Sequence, residues 1–92
     1  MAKYLMLGKY SLTGLKGMSA GRTQKALALI KKAGGKVDAI YGLLGKYDLA
    51  LVVNFPGNAN AVKASIALTK LTGIGFVTSP ALTIEDFDRL VG

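Results

Sequence analysis

Few residues in this 92-residue chain can do chemistry, because it contains neither histidine nor cysteine. That composition removes imidazole bases, thiolate nucleophiles, disulfides and the usual ligands of zinc, iron and haem. Five carboxylates and four tyrosines remain, with a larger set of Lys and Arg. Glu85, Asp86 and Asp88 lie together in a helical pattern near the C-terminus, an arrangement that does not favour a convergent metal cage. No metal and no cofactor are expected.

Asp48 stands apart, at the mouth of the second apolar run in "YGLLGKYDLALVVNF", residues 41–55. Two roles compete for it. At the first position of a strand, its carboxylate can accept backbone N–H groups of the preceding turn, residues 45–47, and so shape a hairpin. Pointing onto an uncovered sheet face beside Tyr4, Tyr41 or Tyr47, a desolvated carboxylate can act as a general base or hold a small ligand. The hairpin role is the more ordinary one for an aspartate in a turn. Arg22 is the next candidate: a guanidinium near the first helix N-terminus can help capture an anion. It can also bridge Asp48 or the acidic C-terminal segment, and such a bridge, within or between subunits, is the preferred reading. Tyr10 and Tyr41 read as amphipathic interface residues.

The elements that must position these groups follow from periodicity. Lys3 to Tyr10 reads as a strand, and "SLTGLKGMSAGR" as a loop. Arg22 to Ala33 repeats apolar residues at helical spacing, with Ala26, Leu27, Ile30 and Ala33 inward and Lys25, Lys31 and Lys32 outward. Gly34-Gly35 ends that helix as a cap. Lys36 to Leu44 and Tyr47 to Phe55 read as strands joined by a Gly45-Lys46 turn. "PGN" stops the third strand, and Asn58 is the expected N-cap of a helix to Leu71. Its stripe is Ala61, Ala64, Leu68 and Leu71, with Val62 and Ile66 beside it. Ile74 to Ala81 reads as the fourth strand, and Thr83 with Asp86 as the capping box of a short final helix.

The order βαββαβ plus a terminal helix is the ferredoxin-like split βαβ: an α+β domain, residues 1–92, with a four-stranded antiparallel sheet and two helices on one face. The other sheet face is left bare. Strand three is apolar on both faces, with Leu49, Leu51 and Val53 alternating with Ala50, Val52 and Asn54. Within the sheet, strands one and three are expected to run parallel at the centre, placing Asp48 at the same end as Tyr4 and the Thr78–Ser79 end of strand four.

A chain this short buries only about 63–65% of its extended surface, yet 51% of its residues are hydrophobic and mean hydropathy is +0.40. The surplus apolar surface points to self-association through the bare face. A membrane span needs about 20 consecutive apolar residues, and no uninterrupted run is longer than Leu49 to Val53, which is far shorter. The N-terminal apolar run is too short for a signal-peptide core, so a cytoplasmic location is expected. Net charge is +7: eleven Lys and Arg face only Asp38 and Asp48 before residue 83, and one Arg faces three carboxylates after it. Scattered lysines usually make a solvated face.

The Gly45-x-Tyr47-Asp48 motif closely resembles the defining motif of the GYD domain family. The similarity also takes in Tyr4, Thr13 and Gly14, Arg22, Gly34-Gly35, Tyr41, Pro56 and the closing "TSPALTIEDF". Where that family often has acidic residues after the proline, this chain has Gly57-Asn58-Ala59. The resemblance implies a ferredoxin-like domain of the dimeric α/β barrel type, with sheets packed face to face, and brings no assigned chemistry with it.

The leading expectation is a small self-associating module, structural or small-ligand-binding, forming a dimer or a larger or open-ended assembly. The alternative is a cofactor-independent monooxygenase or isomerase of the barrel type, with Asp48 as base and Tyr4, Tyr41 or Tyr47 as orienting groups. A weaker alternative is nucleic-acid binding through Lys16, Arg22, Lys25, Lys31, Lys32 and Lys36. "TGIGFVTS", residues 72–79, partly matches an RNA-recognition octapeptide through Gly73, Gly75, Phe76 and Val77. Thr72, Ile74 and Ser79 replace its basic and aromatic positions, and the segment falls on strand four instead of strand three, so RNA binding in that manner is not expected.

Overall fold

A computed structural model of the protein describes residues 1–11 and 19–92. Thr13, Gly14 and Lys16, and most of the expected loop, lie outside the described residues. The elements are β1 (Ala2–Tyr10), α1 (Ala20–Lys32), β2 (Lys36–Gly42), β3 (Leu49–Phe55), α2 (Asn58–Thr72), β4 (Ile74–Ala81) and α3 (Ile84–Val91). The four strands form one sheet in the order β2-β3-β1-β4, with every neighbouring pair antiparallel. This is the ferredoxin-like α+β arrangement with a short helix added at the C-terminus.

Alternation along the strands sorts the residues into two faces. Tyr4, Met6, Leu51, Val53 and Phe55 point to one side and are buried beneath Ile30 and Ala33 of the α1 end and Ala61, Ala64 and Leu68 of α2. Tyr4 packs edge-on against Phe55, ring centroids 5.7 Å apart. Its hydroxyl donates to Asn58 Oδ1.

Helix ends depart from the periodicity reading in instructive ways. α1 begins two residues before Arg22, because Ser19 Oγ accepts the Arg22 backbone N–H at 3.0 Å and caps the helix. At its C-terminus Gly34 N–H bonds Lys31 O and Gly35 N–H bonds Ile30 O, the paired bonds of a Schellman motif, with Gly34 at φ +88°. The cap of α2 is Gly57 and not Asn58, whose side chain is taken by Tyr4. Leu71, expected inward, is partly exposed and Thr72 is buried in its place. Thr83 Oγ1 does accept the Asp86 N–H and caps α3.

The hairpin also differs. A two-residue Gly45-Lys46 turn was expected, but β2 stops at Gly42 and β3 starts at Leu49. The residues between are closed by Leu43 N–H to Asp48 O at 2.8 Å, and Gly45 adopts φ +134°, a region that favours glycine.

Candidate functional site

The uncovered sheet face is built from the residues whose neighbours in register point away from the helices. β1 contributes Lys3, Leu5, Leu7 and Lys9; β3 contributes Ala50, Val52 and Asn54; β4 contributes Val77, Ser79 and Ala81; and β2 contributes Ala39 and Tyr41. Its centre is apolar: Leu5 and Leu7 lie between Val52 and Ala50 on one side and Val77 on the other. Val77 is 51% exposed and Tyr41 is 59% exposed. One end of the face is polar, because Asp38 is the extra residue of a bulge in β2. Its carboxylate accepts from Lys3 Nζ at 2.6 Å and from Asn54 Nδ2 at 2.8 Å. These two donors, Lys3 first, hold the Asp38 carboxyl below its ordinary value of 3.8. Lys9 occupies the other end and donates to Lys46 O.

Asp48 lies at that second end, and two expectations about it need correction. Strands one and three run antiparallel, so Gly8 and not Tyr4 pairs with Leu49, and Tyr10 faces Ile74. Asp48 is therefore at the far end of β1 from Tyr4 and from the Thr78–Ser79 segment. Its oxygen Oδ2 accepts the backbone N–H of Tyr10 at 2.9 Å, not those of residues 45–47, and its own N–H bonds Gly8 O at 2.9 Å. The side chain thus extends the β1–β3 ladder past the last strand pair.

The other candidates do not converge on it. Tyr4 is buried on the helix side of the sheet. Tyr41 stands on the open face, separated from β4 by β3 and β1. Tyr47 is half-buried in the hairpin, with Lys46 Nζ 5.7 Å from its ring centroid. Arg22 sits in the first turn of α1 and its Nη1 donates to Thr72 O at 3.3 Å. Among the described residues the ion pairs are Lys3–Asp38 and Arg89–Asp86, so the expected bridge from Arg22 to Asp48 or to the acidic helix is not formed within one chain.

A cavity of about 80 Å³ lies between sheet and helices, with Ile30, Leu51, Leu68 and Phe76 in its apolar wall and Tyr10, Arg22 and Thr23 at its polar side. The face-forming role of Asp38, Lys3 and Asn54 was missed in the sequence: only the bulge brings the three together, and residues 3, 38 and 54 carry no local sign of it. Phe76 of the octapeptide-like segment packs against the core on the helix side, away from the open face where a stacking residue would be needed. The basic candidates are divided as well: Lys25, Lys31 and Lys32 are exposed on α1, while Lys36 opens β2 on the uncovered face. No helix among the described residues is long and apolar enough to cross a membrane, and none of them gathers three Asp, Glu, His or Cys into a metal-binding group.

A family model described as the GYD domain matches residues 4–91. Among solved structures, the leucine response regulatory protein LrpA of Mycobacterium tuberculosis is similar, with a TM-score of 0.59 and 8% sequence identity. The match covers 89% of this chain and 51% of that one, so this chain spans about half the length of the regulator. At that identity the likeness is one of fold. No curated protein matches the sequence.

Proposed function

This chain belongs to the GYD domain family, and from its uncovered apolar sheet face we infer that the domain is a self-associating structural module. The observation that carries the reading is the grouping of Leu5, Leu7, Val52 and Val77 at the centre of a face bounded by the Lys3–Asp38–Asn54 cluster at one end and Lys9 at the other. An apolar centre with a charged rim is the anatomy of a protein interface. Complete burial stabilises by about 1.5–3 kcal/mol per large apolar side chain, so four such residues supply a useful driving force even though each is already partly shielded.

The edges of the sheet favour this choice. β2 carries the Asp38 bulge, and β4 contains Pro80, which has no N–H to offer a further strand. Edge-to-edge extension is disfavoured at both sides, and association falls to the face. The cavity between sheet and helices is well below the roughly 300–1,000 Å³ of small-molecule sites, and the larger hollows are open grooves on the surface.

Native mass spectrometry of freshly purified protein tests this. A discrete oligomer that Val77→Lys splits supports the reading, and a stoichiometric extra mass in the oligomer adds a ligand between the sheets. A monomer, or an oligomer unmoved by Val77→Lys, overturns it.

A further inference from the structure

α3 is amphipathic, and among the described residues no other element covers its apolar side. None of its residues is buried; Phe87 is 51% exposed and Leu90 75%, and Ile84 and Val91 complete the same apolar stripe. At 100° per residue, Glu85 and Asp88 fall along one flank of that stripe. The radius of gyration, 13.6 Å, exceeds the about 12.3 Å expected of a compact domain of this length.

α2 offers a matching surface. Val62 and Ile66, expected beside the buried stripe, point outward and are 57% and 53% exposed. With Ala59 and Ala67 they form a shallow apolar groove, and Lys63 and Lys70 line it. The acceptor is apolar with a basic flank, and the donor is apolar with an acidic flank. That complementarity identifies the occupant as a second copy of this chain.

We propose that α3 of one copy docks on the Val62–Ile66 face of α2 in another, joining sheet-packed pairs into a larger assembly. The proposal rests on the sheet-face reading for its pairs. It follows that the acceptor is not the sheet-packed partner. That partner's outer α2 face lies beyond its own sheet, about 10 Å away, and beyond a helix layer about 10–12 Å thick. α3 is about 12 Å long and hangs from β4 by Leu82 and Thr83 alone, so it falls short. The contact is a helix laid in a groove, read by apolar anchors three and four residues apart. Leu82 and Thr83 also leave little chain for α3 to fold back onto its own α2.

The test is the mass of the full chain by native mass spectrometry and light scattering, with circular dichroism as the check on folding. Wild type should be a tetramer or a larger even-numbered species. Phe87→Glu, at an exposed position, should fold and give a pair. Glu85→Lys with Asp88→Lys should likewise give a pair, and adding Lys63→Glu and Lys70→Glu should restore the larger species. A wild type that is only a pair, a Phe87→Glu variant that stays large, or a charge swap that fails to restore assembly overturns the docking. A monomeric Phe87→Glu variant also overturns it, because α3 would then belong to the sheet contact. The sheet reading is tested separately by Val77→Lys, which leaves both helix faces intact.

Discussion

The Asp48 carboxylate accepts the N–H of Tyr10, and that single bond decides what its removal should do. A hydrogen bond to a charged acceptor is worth about 1.5–3 kcal/mol, with partial exposure favouring the lower value. In a domain of this length 1 kcal/mol moves the melting temperature by about 4–8 °C. Asp48→Ala should therefore lower Tm by about 6–12 °C, and Asp48→Asn, which keeps an acceptor oxygen, by about half as much. Thermal melts of the two variants check this, and equal, unchanged Tm values would leave the hairpin role without support. The two competing roles were legible at this residue, but its partner was not: Tyr10 lies 38 positions away and is brought near only by the antiparallel register. Asp38 supplies the pH dependence. Lys3 and Asn54 hold its carboxyl below the ordinary value of 3.8, so its contribution is complete above that value and is lost as pH falls through the lowered one. Wild type should lose Tm more steeply than Asp38→Asn from about pH 4 downward, and parallel curves would show that the cluster is energetically idle.

The elements were largely readable because their spacing is strong, and they failed where a side chain's partner decides the boundary. Gly34-Gly35 as a helix stop and Thr83 as a cap depend on chemistry within a few residues. Asn58 looks like a cap by type, yet Tyr4 claims its oxygen from another element. Val62 and Ile66 could not be separated from the buried stripe by spacing alone, because α2 consists largely of apolar and small residues on every side. The α1–β2 junction gives a sharper prediction. A Cβ on Gly35 would stand 2.6 Å from Phe55 Cε1 and 2.7 Å from Ile30 Cγ2, and both of those side chains are fully buried. Gly35→Ala should cost about 1–3 kcal/mol, as overpacked cores do. At Gly42 an added methyl would meet nothing within 4 Å, so Gly42→Ala should change stability by no more than about 0.5 kcal/mol. Denaturant melts of the two variants compare them directly, and equal stabilities would mean that the junction relaxes around the added methyl.

At the scale of the whole molecule, the excess of apolar residues in the composition divides between the open face, with Leu5, Tyr41 and Val77, and the outer surfaces of α2 and α3, with Val62, Ile66, Phe87 and Leu90. Composition pointed to exposed apolar surface and the βαββαβ order to a bare sheet face; the apolar surface on α2 and α3 was not foreseen. If pairs form on the sheet face, stability depends on protomer concentration, because association binds the folded state alone. Val77 is the informative position: it sits beside Leu7 at the centre of the face and is already 51% exposed in the single chain. Replacing it with Lys removes little from the monomer's own core but leaves an ammonium to be buried in the pair, where an unpaired charge is expensive. Wild-type Tm should rise with protein concentration, and Val77→Lys should sharply reduce that rise, leaving what the helix contact contributes, while holding the Tm of the dilute wild type. A scan over a hundredfold dilution reads both effects at once. A Tm independent of concentration in the wild type would mean that the face stays open in solution and that its apolar centre is matched to a different partner. A Val77→Lys variant melting well below the dilute wild type would instead assign the residue to the domain's own packing.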